Sequence, residues 1–293
     1  ERLGDVEHVV LVNTHNHIDH TGNNDVIFEI PASSHRHFMS IEARRALARQ
    51  DAHFAESGLP ASRYQPRLSE YVDENVDRAG YWEELLSSFF DPRRTSLETV
   101  RPLESLPLQS LDIGGVKEFG WNFDDAMYVL PTRGHTRGSV CVYFPNAKLL
   151  MLGDETNNHY HVFHDANSLA TMLGFQRYLT LIRAGQVRYL TDGHSFTVYT
   201  AGQAENFMQK LIGDELRDQR IFLGVLANAG RDGYTIDVLI EKLLENDWWS
   251  KHYARLHTEA PFFIPFVVLR RLDEIGAEEV GAAPNTRFRL RRP

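Results

Sequence analysis

The stretch Thr14-His15-Asn16-His17-Ile18-Asp19-His20-Thr21-Gly22 holds four metal-capable side chains within six residues. It follows Val9-Val10-Leu11-Val12, an apolar run that reads as a short buried strand. Imidazole and carboxylate at this density suit a borderline divalent ion. Zinc is the default, and manganese or iron can take the same nitrogen and oxygen donors. Such residues recur three more times at the ends of predicted strands. His135 follows Tyr128-Val129-Leu130, Asp154 follows the run Lys148 to Leu152, and His194 follows Val187-Arg188-Tyr189-Leu190. Each is adjacent to a glycine, which lets the backbone turn tightly and leaves room near an ion. His15, His17, Asp19, His20, His135, Asp154 and His194 are enough ligands for two metals. A carboxylate between two cations can bridge them, and two close ions can share a hydroxide whose pKa is lowered toward neutrality.

Composition narrows the alternatives. The chain has 293 residues, 42% of them hydrophobic, which is ample for one large domain or two smaller ones. A net charge of −9 without a basic face argues against nucleic acid or an anionic membrane as partner. No apolar run reaches the roughly 20 residues that a spanning helix needs. The single cysteine, Cys141, cannot form an internal disulfide and predicts a cytoplasmic protein. It lies in a strand-like run and reads as a small buried hydrophobe.

Along the chain, a strand enters the histidine loop and Val26 to Ile30 reads as a second strand ended by Pro31. Residues 38–56 read as helix, with Ser40 as N-cap. His35 and His37 read as surface residues. Residues 57–108 read as an inserted helical cap, punctuated by prolines and rich in aromatics such as Tyr64, Tyr81, Trp82 and Phe90. From residue 109 the pattern turns to β, with strands at 111–113, 128–130, 139–144 and 148–152. Helices follow at 168–184 and from 201 to about 216. His159, His161 and His164 read first as a solvated loop, with His159 and Tyr160 as the substrate contacts if that loop borders the pocket. The tail from about residue 218 reads as helix, turn (Gly230-Arg231-Asp232-Gly233), helix and apolar helix, with Gly276 to Arg291 as a wing. Residues 219–293 carry eleven Lys and Arg against ten Asp and Glu, which suits a packing or dimerisation module better than a DNA reader.

Taken together, "THNHIDHTG", "GHTRGS", "GDE" and "DGHS", in this order and each after a strand, resemble the metallo-β-lactamase superfamily. The resemblance covers residues 6–216. It implies an α/β fold, the αββα sandwich, over residues 1–217, and a winged-helix-like module over 218–293. It implies that His15, His17 and His135 hold one metal and that Asp19, His20 and His194 hold the second, with Asp154 and a hydroxide bridging them. Asp19 is then placed to take up or deliver a proton, and Asp19 and Asp154 are the catalytic carboxylates. Thr14, Thr136, Ser139 and Asp192 are candidates to orient the imidazoles.

Two departures from the family matter. His20 and His135 are 115 residues apart, longer than in small lactonase-like members, which supports the inserted cap. The metal loop begins at residue 14, where members carry a full set of strands ahead of it. The expectation is that a second subunit supplies that half of the sandwich and that the enzyme is a higher oligomer. The resemblance and the aromatic cap imply hydrolysis of an activated aromatic ether. Hydroxide adds to the ring carbon bearing a methoxy group, nitro groups accept the charge, and methanol leaves. The alternatives are a lactonase, aryl esterase or thioesterase, with a nuclease disfavoured by the acidic charge.

Overall fold

A computed structural model describes residues 6–49, 96–157, 166–195, 197–259, 263–281 and 286–291. Residues 57–95 of the expected cap, and His159, Tyr160, His161 and His164, lie outside the described residues. The cap's expected end at 108 is corrected, because Val100–Pro102 is a strand paired with Ala32–Met39 and belongs to the sheet. Two sheets form the catalytic region. The smaller is parallel, in the order β1 (Val6–Val12), β2 (Ala32–Met39), β3 (Val100–Pro102). The larger has seven strands: β4 (Gln109–Ile113), β5 (Val116–Phe123), β6 (Met127–Pro131), β7 (Val140–Phe144), β8 (Leu149–Met151), β9 (Tyr189–Thr191) and β10 (Tyr199–Thr200). Sequential strands pair antiparallel except β8 and β9, which run parallel.

The expected strand at Val26 to Ile30 is instead a 3₁₀ turn over Asn24–Glu29, and the strand begins beyond Pro31. Apolarity misled here. Val26 and Phe28 are exposed, so the run has no buried face to pair. Ahead of it, α1 (Ile18–Thr21) is a single turn within the histidine loop.

Alternation along β7 builds the layers. Val140 and Val142 face one core with Phe38, Trp121, Phe123 and Val129, between the two sheets. Cys141 and Tyr143 face the opposite core, under α3 (Ser168–Arg183) and α4 (Ala201–Ala227). The outer face of the small sheet is covered by α2 (Ile41–Ala48), whose Ala43 packs on Met39 and Val100. Ser40 caps α2, accepting from the Ala43 amide as expected. The layer order is therefore α, β, β, α. Cys141 is fully buried and burial pushes its thiol up to about 12, so it is an inert packing residue.

The helix predicted to end near Leu216 continues to Ala227, so the expected division at 217/218 falls inside α4. Its buried face continues through Glu215, Asp218, Phe222 and Leu226, with no proline to stop it. The first half of α4 packs under the large sheet through Ala204, Met208 and Leu211. The second half packs into a separate core with α5 (Ile236–Leu244), α6 (Asp247–His252), α8 (Phe263–Glu274) and the hairpin β11 (Glu278–Val280) and β12 (Arg287–Arg289). A short helix α7 (Ala254–Glu259) links α6 to α8. Among the described residues, no helix is long and apolar enough to cross a membrane.

Candidate metal centre

Topology delivers the donors to one edge. β6 and β8 both pair antiparallel with β7, and β9 runs parallel to β8, so all three end on the same side. His135, Asp154 and His194 follow those ends. The end of β1 is tied to this edge by the Val140 amide donating to the Thr14 carbonyl at 2.8 Å. His15, His17, Asp19 and His20 therefore arrive at the same place.

Two groups of donors result. His15, His17, His135 and Asp154 form one, and Asp19, His20, Asp154 and His194 form the other, the donor atoms of each within 4.8 Å of one another. Asp154 belongs to both. Its Oδ1 lies 3.0 Å from His20 Nε2, and its Oδ2 lies 3.0 Å from His194 Nε2, 3.6 Å from His135 Nε2 and 3.8 Å from His15 Nε2. Asp19 Oδ2 lies 3.3 Å from His194 Nε2 and 3.5 Å from His20 Nε2. The first group is deep and the second opens to solvent, where His194 is about half exposed. Gly193 is required by this crowding, since a Cβ there would lie 2.2 Å from Asp154 Oδ1.

The two groups differ in protonation. Burial, reinforced by the neighbouring His17 and His135 imidazoles, holds His15 far below its ordinary value. Burial likewise takes His17 down to about 3. In the outer group burial opposes the charge on His20, yet hydrogen bonds to Asp154 and Asp19 push it up to about 9. Hydrogen bonds to the same carboxylates push His194 up to about 10. Burial raises both carboxyls, but hydrogen bonds from His194 and His20 outweigh it and hold Asp19 and Asp154 well below the usual carboxylate range.

These donors fit a pair of divalent cations. His15 Nε2 is buried and has no hydrogen-bond partner. His17 Nδ1 and His135 Nε2 face each other at 3.0 Å, two ring nitrogens that one shared cation satisfies as well as a proton. Three imidazoles and a carboxylate suit zinc, and manganese or iron equally by atom type.

The surrounding shell is partly as expected. Thr14 Oγ1 meets His15 Nδ1 at 3.1 Å, and Asp192 Oδ1 accepts from the His194 and Ser195 amides. Thr136 and Ser139 bond to each other beside His135. Three other groups are not evident from the sequence. Glu155 is buried beside Asp154, and its Oε1 accepts from Thr132 Oγ1 at 2.7 Å and from the Gly134 and His135 amides. A Cβ on Gly134 would lie 2.3 Å from Glu155 Oε2. Burial raises the Glu155 carboxyl, against the pull of those donors. Its only sequence signal is its place in Gly153-Asp154-Glu155.

The other two groups are Asn13 and Asn24, which pair side chain to side chain. Asn13 Nδ2 also donates to the His20 carbonyl at 2.7 Å, and His37 Nε2 meets Asn13 Oδ1 at 2.6 Å. The surface placement of His37 is thus corrected: it is 1% exposed, because β2 runs between β1 and β3 and turns it toward the loop base. His35 is partly buried, with its Nε2 against the Ile30 carbonyl.

The family model of the metallo-beta-lactamase superfamily matches residues 2–212, and the chain belongs to that superfamily. No curated protein matches it. Among solved structures, a metallo-beta-lactamase family protein from Thermus thermophilus is similar over 97% of this chain and 80% of its own. The identity is 19% and the TM-score 0.52, a likeness of fold. The metallo-beta-lactamase from Pontibacter korlensis is 18% identical over 69% of this chain and 68% of its own, with a TM-score of 0.37. The protein is a metal-dependent hydrolase by family.

Proposed function

We propose that the chain is a dinuclear metallohydrolase in which His15, His17, His135 and Asp154 hold one divalent ion and Asp19, His20, His194 and Asp154 hold the second. The observation that carries this is the sharing of Asp154 by two converging donor groups. When bound, two such ions supply Lewis acidity and lower the pKa of water toward neutrality. The residues do the rest. His15, His17 and His135 lie deep, and burial keeps His15 and His17 uncharged, ready to ligate. Asp154 fixes the spacing of the two groups. Asp19 sits at the open mouth, 31% exposed in its side chain, and is the group that exchanges a proton with solvent or leaving group.

For the substrate we favour an activated aromatic ether. Water adds its oxygen to the ring carbon, the carbon–methoxy bond breaks, and methanol leaves with the second proton, so no redox partner is needed. This reading is supported by the aromatic content of residues 57–108. It carries two further proposals, a second subunit and a cytoplasmic setting. β1 supports the partner: among the described residues it pairs on one side only, with β2, and Val9 to Val12 are only partly buried where parallel strands are ordinarily enclosed. Lactone, aryl ester or thioester hydrolysis is the second reading, because the same donors suit attack on a carbonyl.

Metal analysis of the purified chain should return close to two ions. A panel of nitroanisoles, lactones, aryl esters and thioesters, with and without a candidate partner, decides the substrate. Lactone or ester turnover with inert nitroanisoles overturns the ether reading. A chain that takes up no divalent ion overturns the metallohydrolase.

A further inference from the structure

Residues 166–168 form a short bridge between the C-terminal helices and the His135 loop. On one side, α8 grips it. Arg270 donates to the Ala166 carbonyl. Arg271 Nη1 donates to Ser168 Oγ at 3.0 Å, and Ser168 Oγ donates to Glu274 Oε1 at 2.6 Å, while the Ser168 amide reaches the same oxygen at 3.3 Å. Arg271 is itself held by Glu215 and Asp218 of α4 and is 2% exposed, so this grip is anchored in the C-terminal core.

On the other side, the bridge supports the metal loop. The Asn167 amide donates to the Gly134 carbonyl at 2.8 Å. Asn167 also caps α3, its Oδ1 accepting from the Ala170 amide at 2.9 Å. Thr171 of the same turn closes on Gly134: a Cβ there would lie 2.5 Å from Thr171 Oγ1. Gly134 immediately precedes His135, and its amide and that of His135 are held by Glu155. A continuous path therefore runs from Arg271 through Ser168, Asn167 and Gly134 to His135.

We propose that Ser168, gripped by Arg271 and Glu274, is a positioning residue for His135, so that the C-terminal module and the metal centre are energetically coupled. The proposal rests on the metallohydrolase reading. Two consequences follow from linkage, because coupling acts equally in both directions. Loosening the grip weakens metal binding, and loading the metal tightens α8.

The test uses the full chain. Apo protein is titrated with Co2+ against a chelator, and amide exchange of residues 263–274 is followed with and without Zn2+. Ser168→Ala should weaken Co2+ binding by about 3- to 10-fold, below or at the low end of losses at groups that touch a ligand directly. It should also abolish most of the slowing of exchange that Zn2+ brings to α8 in the wild type. Leu169→Ala, one residue on and 68% exposed, should behave as wild type. Glu274→Gln, which weakens the same grip, gives the same readouts should Ser168→Ala fail to fold. Equal Co2+ affinity and equal Zn2+ protection in variant and wild type overturn the coupling alone. A wild-type chain that takes up no Co2+ overturns the coupling together with the metallohydrolase reading.

Discussion

Two charged clusters in this protein are built to opposite ends. The cluster around Arg271 is closed. Its Nε meets Asp218, its Nη1 meets Glu215, Glu274 and Ser168, and its Nη2 meets Glu215 and Asp218. The cluster around Asp154 is open. Several imidazole nitrogens converge on it, and His15 Nε2 has no hydrogen-bond partner although it is buried. A buried polar atom left unsatisfied costs stability. At the Arg271 cluster every guanidinium nitrogen is paired, although Asp218 Oδ1 is buried without a partner, whereas at the Asp154 cluster the unpaired atom is a ring nitrogen that a cation can take.

The sharpest way to break this contrast is at the shared carboxylate. Asp154→Ala should fold normally by circular dichroism, hold fewer than two metals, and lose activity beyond the roughly 10²–10³-fold typical of one lost electrostatic contact. Retained turnover would remove Asp154 from the reaction. At the closed cluster the expected effect is on stability. Arg271→Met strands Glu215 and Asp218 and should destabilise by about 3–5 kcal/mol in thermal or denaturant unfolding. Adding Glu215→Leu and Asp218→Leu should recover most of that loss, since burial without charge is tolerated; a triple variant weaker than the single one contradicts the closed-joint reading.

Smaller effects probe the groups between the two clusters. Thr132→Val removes one donor from buried Glu155 and should cost about 1–3 kcal/mol, with a measurable drop in metal affinity through the His135 limb. The smallest effect is a pH dependence. Burial takes His37 from 6.5 down to about 4, so it is neutral in the folded protein and binds a proton on unfolding. Its contribution is fully present above about pH 6.5 and is lost as pH falls toward 4. Unfolding curves for wild type and His37→Gln should converge over that window, and parallel curves would count against the assignment.

Much of this was legible in the sequence, for reasons that the residues make plain. His135, Asp154 and His194 each stand beside a glycine at a strand end, the other four donors follow β1 in one short loop, and local pattern locates strand ends well. Cys141, the Ser40 cap and the strands from residue 109 onward are local features too. What escaped reading is long-range. His37 looks like a surface histidine until β2 is seen between β1 and β3. Glu155 looks like an ordinary acid until the Thr132 loop folds over it. Arg271 sits among charges that resemble any solvated helix. Val26 to Ile30 misled because apolarity was read without knowing that no partner surface covers it.

The long helix α4 has a consequence for how the protein can be divided. At about 1.5 Å per residue its 27 residues make one rod of about 40 Å, and both cores are nailed to it. A cut at 217/218 severs that rod in mid-span, leaving Phe222 and Leu226 on a stub and Glu215 without its arginine. The two halves are therefore expected to be poor cassettes. Recombination between relatives should succeed in the turn after Ala227, and fail at the point where sequence pattern alone invites the scissors.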